Sequence, residues 1–575
     1  DAEGQMFADL ALTIAIGVSV SLLVAVTVLP TTAGYWMRQL PEPLQGETVW
    51  DRMTDRLMRI TGTPARRWAW VAGLIVFSIS VTIYLWPQSN YLPPVKRDTV
   101  DSFLFFPPGT NVETAEREIA QVIDARIQPY LKGEKEPKVR DYFFWSFPGA
   151  TGGWLAMNGE DGADLEVLQN IVQTDIITGI PDLFGFTLRR SLFGGFDDAN
   201  SVEMRITSRD LQAVKNAAMQ GMGMVMSAIP GSTANPTPDP FAEATELQFS
   251  PNDERLAEVG WTRRDLTSVI LELGQGTWLG EYFDGQERLD IYLKSKRFDT
   301  PEQMAEVPVF TPKGGVVPLG ELATISEALG PNAIVRFDRV RGYGLSVNPP
   351  PGMALEELIS ELKEKVEPGL LAALPRDGQV SYAGSAEDLA RAIGTLSVNF
   401  FMAFGLLVLI MAALFKSFKS ALLVVISIPL AGVGGVIALN IMNLIKFQPL
   451  DLLGMIGFII LLGLVVNNAI LLVAQTQTAE SRGMNRQDAV RQALRLRLRP
   501  IFMSTLTSLF GMLPLLAFPG AGSEIYRGMA ATIVGGMSVS TIFTLILLPS
   551  LLQLTKGSTA VSEGQDSGLV TKPAE

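Results

Sequence analysis

The sequence predicts a polytopic α-helical membrane protein of about seven transmembrane helices, with one large α+β domain between the second and the third. Three observations predict it. Runs with few or no charges recur, each close to the roughly 20 residues that a helix needs to cross the hydrocarbon core. They are confined to the two ends of the chain. The stretch between them is acidic, rich in turn residues and patterned in short strand and helix segments. With 47% hydrophobic residues and a mean hydropathy of +0.25, the whole is too apolar for an ordinary soluble protein and too charged to be all membrane.

The spans fall at about 10–34, 68–86, 393–415, 420–444, 450–474, 500–519 and 528–553. Trp68, Trp70, Tyr84 and Trp86 flank the second, as aromatic side chains do at membrane interfaces. Arg38, Arg52, Arg56, Arg59, Arg66 and Arg67 fill the connection 38–67, Lys416 and Lys419 a hinge at 416–419, and Arg482, Arg486, Arg491, Arg495, Arg497 and Arg499 the loop 475–499. These three loops share one side of the membrane, whereas the opposite short loops carry only Lys446 and Arg527. Positive charge is retained in the cytoplasm, so the arginine side is expected there and the long stretch 87–392 outside. The chain begins at Asp1 without an initiator Met or a signal-type segment, which suggests a piece of a longer protein.

The stretch 87–392 carries 45 Asp and Glu against 28 Lys and Arg, a net of −17, while the remainder nets +4, so the acidity of the chain, −13 overall, belongs to this stretch. An acidic exterior suits solubility and argues against a nucleic-acid partner. "DSFLFFPPGTNVETAEREIAQVI" (101–123) and "GLSVNPPPGMALEELISELKEKV" (344–366) each read as strand, Pro-Pro-Gly turn and amphipathic helix, with Thr110 and Glu113 at capping-box spacing in the first. "VEMRITSRDLQAVKNAAMQGMGMVM" (202–226) is a third strand-helix pair. Such pairs build ferredoxin-like subdomains, with 252–332 as an inserted subdomain. "GATGGWLAMNG" (149–159) reads as a Gly-rich loop without the features of a phosphate cradle.

Cysteine and histidine are absent, which removes disulfides, the usual zinc and haem ligands and any histidine-based triad. No Gly-x-Ser-x-Gly elbow, Walker loop or metal-ligand cluster is present, so no enzyme and no cofactor is expected. "YFFWSF" (142–147) is a candidate pocket wall. Strand alternation sends Phe143, Trp145 and Phe147 to one face, with Phe103 and Phe105 from a neighbouring strand and Trp154 and Met157 close by; packing in a core is the competing reading. Met219, Met222, Met224 and Met226 could carry a soft metal but read more simply as a packing face. The apolar "LLGLVVNNAILLV" (461–473) holds Asn467 and Asn468, amides that need partners in lipid. No span carries Asp, Glu or Lys in its interior.

Nearly the whole chain resembles the C-terminal part of resistance-nodulation-division (RND) efflux pumps, through "FADLALTIAIGVSVSLLVAVTVLP", "GLVVNNAILLV", "RLRLRPIFMSTLTSLFGMLPL" and "GAGSEIYRGMAATIVGGM" in matching order. The resemblance implies a Gram-negative inner-membrane proton antiporter that exports amphiphilic compounds or drugs. Its expected partners are two further copies in a homotrimer, a periplasmic adaptor and an outer-membrane channel. It makes 1–37 the family's sixth helix, 38–67 a cytoplasmic connection, 68–86 the seventh helix and 393–555 the eighth to twelfth. It further makes 87–190 one porter subdomain, 191–251 with 333–385 a second, 252–332 a docking subdomain and 556–575 a cytoplasmic tail. Asn467 falls where multidrug members carry a Lys that pairs with two Asp residues of a helix this sequence lacks; Asn468, Arg497 and Ser504 match the rest of that relay. An amide donates hydrogen bonds to a carboxylate but does not offset its charge. Phe143 and Phe103 fall on or near family pocket positions. The alternatives are a metal-ion pump of the same family, and a non-transporting membrane scaffold or protein-export accessory.

Overall fold

The computed structural model describes residues 2–36, 49–106, 112–147, 152–160, 164–181, 183–192, 200–238, 240, 243–285, 287–295, 298, 300–331, 333–520 and 522–555. Thr110, and with it the capping box, lies outside them, as does 556–575. Among the described residues seven helices are long and apolar enough to cross a membrane. One of them, Phe418–Ile445, breaks in two where Ser427 turns its hydroxyl onto the Val424 carbonyl (2.6 Å) and Pro429 opens the second piece, since proline has no amide to continue the ladder. Others run further than charge-free stretches suggest: Ser385–Phe415 starts well before 393, Arg486–Ala517 well before 500, and Leu452–Ser481 ends past 474. Their extra turns are polar and make ion pairs, Arg391 with Glu387 (2.8 Å) for example.

The chain forms two compact units. The first combines 1–71, 471–503 and 545–575. In it the amphipathic helix Val49–Ile60 packs on the polar start of Arg486–Ala517 through Asp55–Arg491 and Asp51–Arg495 pairs (both 2.5 Å) and Trp50 against Phe502.

The second unit, 72–470 with 504–544, holds the α/β part and the remaining apolar helices. Glycines let helices Ile428–Ile445 and Arg527–Leu554 touch: a Cβ on Gly434 would lie 2.4 Å from the carbonyl oxygen of Gly535. Small residues permit this close backbone approach between membrane helices, where packing rather than water exclusion holds the bundle.

Four antiparallel strands, β1 (Thr99–Phe105), β2 (Val139–Ser146), β3 (Gly152–Gly159) and β4 (Phe184–Leu188), form a sheet in the order β2-β3-β1-β4. Helices at 112–131 and 165–177 cover one face. Val100, Leu104, Leu155 and Met157 meet Ile123, Ile127, Leu168, Val172 and Ile176 there, all buried. This is the β-α-β-β-α-β arrangement that paired strand-helix units favour. It corrects the reading of 149–159 as a loop, because 152–159 is an inner strand. The glycines are needed for packing rather than flexibility: a Cβ on Gly152 would stand 2.5 Å from the Leu104 carbonyl oxygen.

A second sheet joins Val335–Phe337, Val340–Asn348, Val202–Thr207 and Gln379–Gly384 in that order, with Thr233–Thr237 beside Val340–Asn348. Met222 and Met224 of helix Leu211–Ala228 pack on its core, and Met226 is exposed, so these thioethers do not converge. Within 252–332 a separate small core gathers Leu256, Trp261, Leu266, Leu319 and Leu322. A short strap, Gln88–Tyr91, ties the start of helix Leu452–Ser481 to the second sheet's helix 355–373. Asn90 donates its amide to Leu450 (3.0 Å) and accepts the Leu355 amide on Oδ1 (2.6 Å).

Candidate functional site

Strand parity divides the first sheet into a covered and an open face. On the open face the register puts Trp145, Trp154, Phe103 and Phe186 in one row across all four strands. Phe103 stacks on Trp154 (6.4 Å between ring centres, 9° between planes) and leans on Phe186 (5.6 Å), while Phe143 meets Trp154 edge-on at 4.8 Å. Phe105 and Phe184 form a second row. Phe147 follows the end of β2 and meets Trp145 edge-on. Phe143, Trp145, Phe105 and Phe186 are about half exposed, and contiguous exposed aromatic side chains of this kind mark ligand-binding or interaction surfaces. Met157 is absent from it. Three residues beyond Trp154 on the same strand, Met157 has the opposite parity, and it is fully buried under the helices.

A cavity of about 950 Å³ opens on this face. Phe103, Phe105, Phe147 and Phe186 line it together with Lys96, Gln169, Arg189, Arg190 and Ser191, and Thr233, Asn235 and Asn348 of the second sheet form a further wall. Phe143, Trp145 and Trp154 extend the aromatic surface beside it rather than line it. Beneath lies a charge pair that sequence reading missed. Asp101, fully buried, accepts Arg190 Nε (2.8 Å) and Nη2 (3.1 Å) and the indole N–H of Trp154 (2.8 Å). The Arg190 guanidinium also lies over the Trp154 ring at 4.6 Å. Trp154 is thus held on both sides, as is typical of a rigid wall.

A second polar group sits among the apolar helices. Asn468 Nδ2 donates to Thr505 Oγ1 (3.2 Å), which lies 3.2 Å from Thr541 Oγ1, and Thr541 donates to the Met537 carbonyl (2.7 Å). Since the Thr541 proton is already used, Thr505 donates to it, and the three buried side chains link helices Leu452–Ser481, Arg486–Ala517 and Arg527–Leu554. Asn467, one residue along, faces outward and is exposed, as is Ser504. The two amides therefore have different surroundings: Asn468 is fixed inside the bundle, whereas Asn467 is presented at its surface. In the first unit, Arg497 Nη2 donates to Gln475 Oε1 (3.1 Å). Arg497 Nε is buried and has no hydrogen-bond partner among the described residues. Thr505 and Thr541 were missed because hydroxyls in apolar helices ordinarily bond to their own backbone.

The AcrB/AcrD/AcrF family model matches residues 1–146 and 187–556. An uncharacterized transporter of Haemophilus influenzae (strain ATCC 51907 / DSM 11121 / KW20 / Rd) is 24% identical over 571 residues, covering 95% of this chain and 53% of the relative. Two crystal forms of a heavy metal efflux pump share the fold with a TM-score of 0.66 at 20% identity, covering 88% of this chain and 52% and 51% of theirs. The chain thus spans about half the length of the relatives it matches. With apolar helices at both ends and α/β units between, it belongs to the AcrB/AcrD/AcrF family of RND efflux transporters.

Proposed function

We propose that this chain is the C-terminal half of a proton-driven inner-membrane pump that exports amphiphilic compounds through the aromatic cavity. The α/β units act as periplasmic porter subdomains, 252–332 acts as a docking subdomain, and the pump works as a homotrimer with an adaptor and an outer-membrane channel. The cavity carries this reading: apolar aromatic walls with a few polar groups suit a molecule with a greasy body. A soft metal ion would need thiolate, imidazole or thioether donors. The sequence has no Cys or His, and among the described residues no Met lines the cavity, which favours amphiphiles over the cargo named for the heavy metal pumps.

On the membrane side, Asn467 and Ser504 are exposed residues, where a helix of the other half bearing the proton-carrying carboxylates would meet them. Asn468, through Thr505, fixes the helix that presents Asn467, and the family resemblance adds Arg497 to the relay. The experiment is export from proteoliposomes containing the full-length pump under an imposed proton gradient. Phe103→Ala with Trp145→Ala is expected to change the range of amphiphiles moved. An unchanged range would make the aromatic face structural, and failure of the pump to move any solute would favour a scaffold.

A further inference from the structure

Polarity in the cavity is segregated, and its charged end has one sign. Among the described residues the lining contains Lys96, Arg189 and Arg190 and no carboxylate. Arg190 is neutralised by Asp101. Arg189 donates to the Arg97 carbonyl through Nε (3.3 Å) and Nη2 (3.1 Å), and its nearest carboxylate, exposed Asp98, stands 4.0 Å away. Lys96 makes no ion pair among the described residues. Lys96 and Ser191 pair as an isolated antiparallel bridge, so the cationic groups sit together past the ends of β1 and β4. Ser191 Oγ is an independent sign of a ligand: this side chain is 5% exposed, lines the cavity and has no hydrogen-bond partner among the described residues. Asn348, also on the lining, is half-buried; its Nδ2 donates to Thr233 Oγ1 (3.0 Å), and its Oδ1 atom has no partner among the described residues.

On the amphiphile reading above, which this inference refines, we propose that the cavity selects amphiphiles with an anionic head. The apolar body lies on Phe103, Phe105 and Phe186. The head reaches Lys96 and Arg189 and accepts the Ser191 hydroxyl, while Asn348 Oδ1 accepts from a hydroxyl or amide next to the anion. Along extended chain the distance from Phe186 is roughly 10 Å to Arg189 and about 17 Å to Ser191, the length of a medium-chain amphiphile. A cationic head would meet the positive charges of Lys96 and Arg189 at the same place.

The test uses the full-length pump in proteoliposomes under a proton gradient, with decanesulfonate, decyltrimethylammonium and decyl maltoside as probes. Wild type is expected to export decanesulfonate in preference to the other two. In Lys96→Gln/Arg189→Gln, the ratio of decanesulfonate to decyl maltoside export should fall at least about tenfold, the loss of one hydrogen bond to a charged group. Arg189→Lys with Lys96 intact should recover most of the ratio, which a merely unfolded cavity would not do. Equal export of all three heads, or a ratio unmoved by the double substitution, overturns anion selection while leaving amphiphile export standing. Export of none of the three overturns both.

Discussion

Replacing Asp101 by Asn would leave the Arg190 guanidinium buried without its counter-charge. In the structure Asp101 is 0% and Arg190 9% exposed, and two hydrogen bonds of 2.8 and 3.1 Å join them. Removing one partner of such a pair costs about 3–5 kcal/mol, because the remaining charge cannot reach water. Asn keeps the volume and one acceptor, so the lower end, about 3 kcal/mol, applies. Hydrogen exchange in the full-length pump reads the consequence: amides of β1 and β4 should open roughly 100-fold more often, at 1.4 kcal/mol per factor of ten. The double substitution Asp101→Leu/Arg190→Met removes both charges and should restore most of the protection. Wild-type exchange in Asp101→Asn, or a double variant as unprotected as the single one, would refute the assignment of Asp101 and Arg190 as a mutually dependent pair.

Other consequences follow from single contacts. Gly535→Ala should weaken the membrane bundle by about 1–3 kcal/mol, since its Cβ would lie 2.3 Å from that of Ala438; thermal unfolding in detergent checks this. Asn90→Ala leaves the Leu355 amide without its acceptor and should cost about 1–3 kcal/mol, seen as faster exchange at Leu355 than at Leu358 or Leu362. Burial, then the hydrogen bond to Asp124, pushes the Tyr142 phenol up to about 12 from its ordinary value of 10.0. A raised value means that the stability it contributes is intact below pH 10.0 and is lost as pH rises through about 12; Tyr142→Phe should flatten that alkaline loss in a denaturation series. Arg497→Ala should abolish proton-driven export with the fold intact by circular dichroism, whereas undiminished export would remove Arg497 from the proton path.

The apolar helices were legible because lipid demands long uncharged runs, and strand-helix pairs because their periods differ. The limits of the helices at 385 and 486 were not, since polar helical turns that end in ion pairs look like loops to a hydropathy scan. At the aromatic face, parity within β2 could be read from 142–147, but the row Trp145-Trp154-Phe103-Phe186 depends on register between strands up to 83 residues apart, which no local pattern encodes. Parity could also have excluded Met157 once 152–159 was recognised as a strand; the two glycines hid it. Lys96, Arg189 and Arg190 were passed over because charges next to strand ends are ordinarily solvated. Only the pairing of β1 with β4 brings all three to the cavity lining, where one of them is neutralised.

The central claim is proton-driven export of amphiphiles from the aromatic cavity. It is tested most directly by loading inverted proteoliposomes of the full-length pump with an acidic interior and following uptake of decanesulfonate and of Cu(I) in parallel. Decanesulfonate should accumulate, the accumulation should collapse with the gradient, and Cu(I) should not move. Gradient-dependent movement of Cu(I) without decanesulfonate would contradict it.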